Sequence, residues 1–225
     1  MIHGLYAITP DLSDTASLLE KTGQVLANGT GILQYRNKLA DALLAKEQAL
    51  ALRRITREHG ITLIINDDLD LALAVGADGV HMGGDDGDLL AARNRMPEGM
   101  LLGASCYNDL TCARAAAAAG ADYVAFGAIF PSGTKPLARR ASLDLIRQAR
   151  AELAVPIVAI GGITLHNAAE AIAAGVDSIA VIAALFDAPD IGKAARQFSD
   201  LFHVKQPSGS RPTSAWSVSG TAPST

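Results

Sequence analysis

Gly76-Ala-Asp-Gly-Val80, Gly120-Ala-Asp-Tyr-Val124 and Gly175-Val-Asp-Ser-Ile179 are three copies of one phrase. Each follows an alanine-rich segment with helical spacing and leads into a short apolar run. Glycine suits the left-handed residue that ends a helix, and the acidic residue turns the chain into a strand. Gly29-Thr-Gly-Ile32 is a weaker fourth copy. Outward from these phrases, runs rich in Ile, Val and Leu stand at 5–8, 32–35, 61–65, 79–81, 101–105, 123–126, 156–160 and 178–182, each followed by a longer helical segment. Near-continuous apolar runs alternating with helices indicate parallel strands buried on both faces. The four phrases precede the second, fourth, sixth and eighth runs, so the repeat is a pair of βα modules and four pairs make eight strands. The expected architecture is α/β, a single (β/α)8 TIM barrel over 1–205.

The chain has 225 residues, of which 49% are hydrophobic, enough for one large core. Its net charge is −4 and its pI about 5.7, with no basic block, so nucleic acid is not an expected partner. No run of about 18 apolar residues exists to cross a membrane, and the N-terminus lacks the basic start of a signal peptide. The two cysteines, Cys106 and Cys112, have no metal-type spacing and are expected as reduced thiols of a cytoplasmic protein. Residues 206–225 are rich in Ser, Thr, Pro and Gly and are expected to form a disordered tail. Alanine-rich outer helices such as 113–119 permit close packing against the barrel or against a second copy in a homo-oligomer.

In this fold the active site lies in the loops after the strands. After the second run comes Gln34-Tyr-Arg-Asn-Lys38. Gln34, Arg36 and Lys38 alternate and so share a face; two cations and an amide there suit a diphosphate, although a solvated strand end forming ion pairs has the same composition. Asn66-Asp67-Asp68 follows the third run and Asp85-Asp86 the fourth. Carboxylates from neighbouring strand ends suit Mg²⁺, which takes one or two of them and completes its shell with water and phosphate. Asp67 and Asp86 are the expected metal ligands; Asp68, Asp85 and Asp88 read more simply as helix caps. Ser105 ends the fifth run, with a hydroxyl suited to a phosphate, a ring nitrogen or a turn. Ser132-Gly-Thr134-Lys135-Pro136 follows the sixth and has the make-up of a phosphate-binding loop, with Arg139 and Arg140 beyond it as loop anchors or solvated cations. Gly161-Gly162 after the seventh run, and Ile182-Ala183 after the eighth, offer backbone amides at the recurrent phosphate site of this fold. His81 has the position of a buried, hydrogen-bonded structural histidine.

Leu5-Tyr-Ala-Ile-Thr-Pro10, Gln34-x-Arg-x-Lys38, Asn66-Asp67, Gly79-Val-His-Met-Gly83, Gly127-x-Ile-Phe-Pro-Ser-x-Thr-Lys135 and Ala159-Ile-Gly-Gly-Ile163 together resemble the thiamine phosphate synthase family, over about 5–187. The resemblance implies a transferase that joins 4-amino-2-methyl-5-hydroxymethylpyrimidine diphosphate to a (carboxy)thiazole phosphate by a Mg²⁺-assisted dissociative substitution. It implies that Gln34, Arg36, Lys38, Asn66, Ser105 and Lys135 contact the pyrimidine diphosphate, with Arg36, Lys38 and Lys135 stabilising the leaving group. It implies Mg²⁺ on Asp67 and Asp86, and the thiazole phosphate against Ser132, Thr134, Gly162, Ile182 and Ala183. Three positions depart from the pattern: Gly84 where Gln is usual, Ser132 for Thr, and Ala183 for Ser. The last removes about one hydrogen bond, about 1 kcal/mol. A thiazole tautomerase on the same barrel, or a non-catalytic phosphate-ligand binding barrel, would not need the whole diphosphate and metal set.

Overall fold

Closure of a parallel sheet decides where every side chain of this chain points. A computed structural model describes residues 2–84, 87–131 and 140–203. Strands β1 (Gly4–Ile8), β2 (Ile32–Tyr35), β3 (Thr62–Asn66), β4 (Gly79–Met82), β5 (Leu101–Tyr107), β6 (Tyr123–Phe126), β7 (Ile157–Ile160) and β8 (Ser178–Val181) pair in sequence order. The barrel closes where β8 meets β1, with Leu5 beside Ile179 and Tyr6 beside Ala180. Outside run α1 (Thr15–Leu26), α2 (Ala42–His59), α3 (Leu69–Val75), α4 (Leu89–Arg95), α5 (Leu110–Ala118), α6 (Leu143–Glu152) and α7 (Ala168–Ala173). After β8 come a short α8 (Ala183–Phe186) and then α9 (Ile191–His203). Among the described residues no helix is long and apolar enough to cross a membrane.

The strands alternate cleanly between two cores. Outward side chains such as Leu5, Leu33, Leu63, Val80, Val124 and Ile179 join the helices in one large apolar layer. Inward side chains, among them Tyr6, Ile32, Ile64, Tyr123 and Val158, fill the barrel itself. Both faces are dry, which is why the strands appear as unbroken apolar runs rather than as alternating polar and apolar residues. Phe198 of α9 is fully buried against this outer layer. A side chain of that size contributes roughly 1.5–3 kcal/mol by burial, so α9 is anchored to the barrel rather than appended to it.

The repeated phrase has a structural role at the N-terminal end of the barrel. Its glycines are left-handed, with φ of 62° at Gly76, 91° at Gly120, 107° at Gly175 and 97° at Gly29. Its aspartates fasten one strand start to the helix before it. Asp78 accepts from the Leu63 amide at 2.8 Å and from Arg53 at 2.6 Å. Asp122 accepts from the Leu102 amide at 2.7 Å and also from Arg93. Asp177 repeats this with the Ile157 amide at 2.8 Å and Arg150 at 2.6 Å. In the fourth copy Gly31 stands where the aspartate would be, and the Thr30 hydroxyl donates to the Leu5 carbonyl at 2.9 Å instead.

The C-terminal ends of four strands differ from the sequence reading. β3 extends through Asn66, whose polar side chain had ended the apolar run at 65, β4 runs on to Met82, β5 extends to Tyr107 through a bulge after Ser105, and β8 stops at Val181. The segment 206–225 lies outside the described residues, as do Asp85, Asp86, Ser132, Thr134, Lys135, Pro136 and Arg139.

Asp122→Ala removes the acceptor for one backbone amide and one guanidinium. We expect a loss of about 1–3 kcal/mol. Thermal unfolding followed by circular dichroism should show a Tm lower by about 2–12 °C. Asp144→Ala, which removes only the exposed pair with Arg147, should change stability by less than about 1 kcal/mol.

Candidate active site

Helices α1 to α6 start at the C-terminal face of the barrel, and each has a capped first turn. Asp14, Asp41, Asp68, Asp88, Asp109 and Ser142 accept from the amides of Ser17, Leu44, Leu71, Ala91, Thr111 and Leu145. This gives five aspartates around the mouth a structural use and makes them a second choice for a metal. Asp68 and Asp88 are caps, as their spacing suggested.

Asp67 is different. It has φ of 65°, a left-handed value that aspartate tolerates better than most residues. Its amide donates to the His81 carbonyl at 2.7 Å, which holds the turn, and its carboxylate pairs with Lys38. Lys38, Arg36, Asn66 and Asp67 line one cavity of about 330 Å³ between the loops after β2 and β3. β2 ends at Tyr35, so of the alternating set only Gln34 is on the strand, and Arg36 and Lys38 stand in the loop beyond. The alternation persists there because the intervening residues are held elsewhere. The Tyr35 hydroxyl and the Asn37 amide both donate to Gln48 Oε1 of α2, at 2.9 and 3.0 Å.

Two residues of the first loop were missed by the sequence reading. Asp11 accepts from Arg36 Nη1 at 3.0 and 3.2 Å and from the Lys38 amide at 2.8 Å. The Thr9 hydroxyl donates to the Arg36 carbonyl at 2.8 Å and accepts from the Arg36 amide at 2.9 Å. Together they fix the loop that presents both cations. The only signal was their place after the first apolar run, in Thr9-Pro-Asp11.

Gln34 and Ser105 face inward and are joined through the barrel interior by Tyr6, Tyr123 and His81. The His81 and Tyr123 rings stack at 5.5 Å. Burial pushes His81 down from 6.5 to about 4, opposed by the nearby Asp67 carboxylate, so it is neutral near pH 7. Burial likewise holds both tyrosine hydroxyls protonated.

Across the mouth, Gly162 has φ of 64° and lies so close to the previous loop that an added Cβ would come within 2.4 Å of the Pro131 carbonyl. Only glycine fits. Asn167 Nδ2 donates to the Gly162 carbonyl at 2.9 Å. Ile182 caps the short α8 without a side-chain hydrogen bond. The amides of Ala183 and Ala184 begin that helix, where no intrahelical acceptor exists for them. Among the described residues no group of three or more His, Cys, Asp or Glu side chains could hold a metal ion.

The fold and this mouth define a (β/α)8 enzyme with a cationic, amide-rich rim suited to phosphorylated substrates. The family described as Thiamine monophosphate synthase matches residues 5–185. A thiamine-phosphate synthase of Methylobacillus flagellatus is 57% identical over 202 residues, covering 90% of this chain and 96% of that protein. One of Aromatoleum aromaticum is 52% identical, covering 89% and 97%. The solved structure of the thiamine phosphate pyrophosphorylase from Pyrococcus furiosus superposes with a TM-score of 0.80 at 36% identity, covering 89% of this chain and 95% of that one. The chain belongs to the thiamine monophosphate synthase family, and it is a transferase. A tautomerase or a non-catalytic barrel is not favoured.

The neutral His81 couples stability to pH. The unfolded chain takes up a proton there near pH 6.5 and the folded barrel only near about 4. Between these values the unfolded state binds more protons, so stability is full above pH 6.5 and falls as the pH falls, by at most about 1.4 kcal/mol per unit. Denaturant unfolding of the wild type and His81→Gln across pH 4–7 checks this. The difference between them should shrink steadily as the pH drops.

Proposed function

We propose that the mouth of this barrel joins 4-amino-2-methyl-5-hydroxymethylpyrimidine diphosphate to thiazole phosphate, releasing diphosphate and forming thiamine phosphate. The observation that carries the reading is the cavity in which Arg36, Lys38, Asn66 and Asp67 converge. The reaction breaks the bond between the pyrimidine methylene carbon and the diphosphate oxygen, and the electron pair leaves with the diphosphate. The thiazole nitrogen then supplies the pair for the new carbon–nitrogen bond. A carboxylated thiazole loses carbon dioxide as well.

Such a substitution needs charge stabilisation at the leaving group and no strong base. Arg36 suits this because Asp11 grips its guanidinium from one side, leaving the remaining donors for phosphate oxygens. Lys38 is a mobile point charge that can exchange its contact with Asp67 for one with the diphosphate. Lys135 is proposed as the third cation; it lies outside the described residues, as do Ser132 and Thr134. Gln34, Asn66 and Ser105 would bind the pyrimidine diphosphate. Gly162, Ile182 and Ala183 would present the thiazole phosphate to backbone amides.

The donor set fits Mg²⁺, which commonly takes one or two carboxylates and completes its shell with phosphate and water. Asp67, at the edge of the cavity and already against a cation, would hold it, together with Asp86, which lies outside the described residues. When bound, the ion supplies positive charge to the departing diphosphate. The free thiols of Cys106 and Cys112 support a cytoplasmic location, and residues 1–205 are proposed as the catalytic domain.

Purified protein with both substrates and Mg²⁺ should release diphosphate and thiamine phosphate, and EDTA should abolish both. Lys38→Ala and Asp67→Ala should each lower kcat/KM by about 10²–10³-fold. Asp11→Ala should cost about tenfold by loosening Arg36. Absence of product from folded wild-type protein would refute the reading.

A further inference from the structure

Five side chains from five strands cross the barrel interior in one hydrogen-bonded line. Gln34, 3% exposed, donates from Nε2 to the Tyr6 hydroxyl at 3.0 Å. The Tyr6 and Tyr123 hydroxyls are 2.8 Å apart. The Tyr123 hydroxyl lies 3.1 Å from His81 Nδ1, and His81 Nε2 lies 2.8 Å from Ser105 Oγ. The line exists because residue 103 is glycine: a Cβ there would come within 2.1 Å of the Tyr123 ring and 2.5 Å of His81 Nδ1.

A hydroxyl has one proton to give and can accept as well, so with Gln34 Nε2 donating to Tyr6 one donor order uses every proton of the line. In that order Tyr6 gives to Tyr123, Tyr123 to His81 Nδ1, and a His81 protonated on Nε2 gives to Ser105 Oγ. Two groups are left over at the ends. Gln34 Oε1 is left to accept, since the amide nitrogen is the atom that bonds Tyr6. In the same order the Ser105 oxygen accepts from His81, which leaves its hydroxyl proton to give.

We infer that this relay sets the hydrogen-bond polarity of the mouth, so that it takes an aminopyrimidine and rejects the corresponding oxopyrimidine. The inference rests on the proposed reaction for its substrate. An aminopyrimidine offers an N–H donor on the exocyclic amine and an acceptor on the adjacent ring nitrogen, the complements in hydrogen-bond sense of Gln34 Oε1 and the Ser105 hydroxyl. In the oxo form both are reversed. Changing the site to suit it would require all five groups to turn together, because each proton position determines the next. Tyr6, Tyr123 and His81 are thus positioning residues that act through Gln34 and Ser105.

The test has two arms. Nitrogen-15 NMR of the full chain, with the His81 signals assigned by their loss in His81→Gln, should show Nε2 protonated and Nδ1 bare at neutral pH; a proton on Nδ1 would overturn the relay as drawn. The second arm compares kcat/KM for the 4-amino and 4-oxo pyrimidine diphosphates. Wild type should prefer the amine by about 10²–10⁴-fold, from two mismatched polar contacts. Tyr6→Phe and Tyr123→Phe, which keep the packed rings, should lower that preference at least tenfold and leave KM for the thiazole phosphate unchanged. An unchanged preference in folded variants would show that the line is structural only. If wild type forms no product from either pyrimidine, the proposed reaction fails, and the tautomer, which needs no turnover, still decides the relay.

Discussion

A parallel sheet closed on itself leaves no edge, and that constraint governs the rest of this protein. Once β8 pairs with β1, the backbone groups along the wall are used by neighbouring strands. Both faces of the wall are then apolar, and free polar groups collect at the two rims. The N-terminal rim is used for fastening: Asp78, Asp122 and Asp177 each tie an arginine to a strand start. The C-terminal rim has amides and side chains to spare.

At that rim, the same residue type serves two purposes, and geometry separates them. Asp14, Asp41, Asp68, Asp88 and Asp109 turn back onto their own helices as caps. Asp67, one position earlier than a cap and left-handed, turns toward Lys38 and the cavity. Asp11 faces Arg36 from the neighbouring loop. Neighbouring cations repel one another, and a carboxylate beside each one steadies the arrangement.

The barrel interior is the exception to apolar filling. A row of polar groups inside such a core is tolerable only if each finds a partner. Tyr6, Tyr123 and His81 meet that condition within one line, whose ends are Gln34 and Ser105.

The fold was legible in the sequence because its causes are local. Left-handed glycines ending helices, apolar runs and helical spacing all act within a few residues, and Gly76, Gly120 and Gly175 mark them openly. Arg36, Lys38, Asn66 and Asp67 were legible as well, since a side chain just past a strand end must lie at the rim. What remained hidden depends on partners distant in the chain. Tyr6 and Tyr123 are 117 residues apart, and Asp11 meets Arg36 across 25. Both tyrosines look like ordinary core aromatics, and Asp11 like any loop acid. Composition and periodicity determined that a barrel forms and which residues stand at its C-terminal rim. Only the tertiary structure decided which carboxylate caps a helix, which one steadies a cation, and which polar groups meet inside the barrel, because each of these follows from contacts that exist only after the sheet has closed.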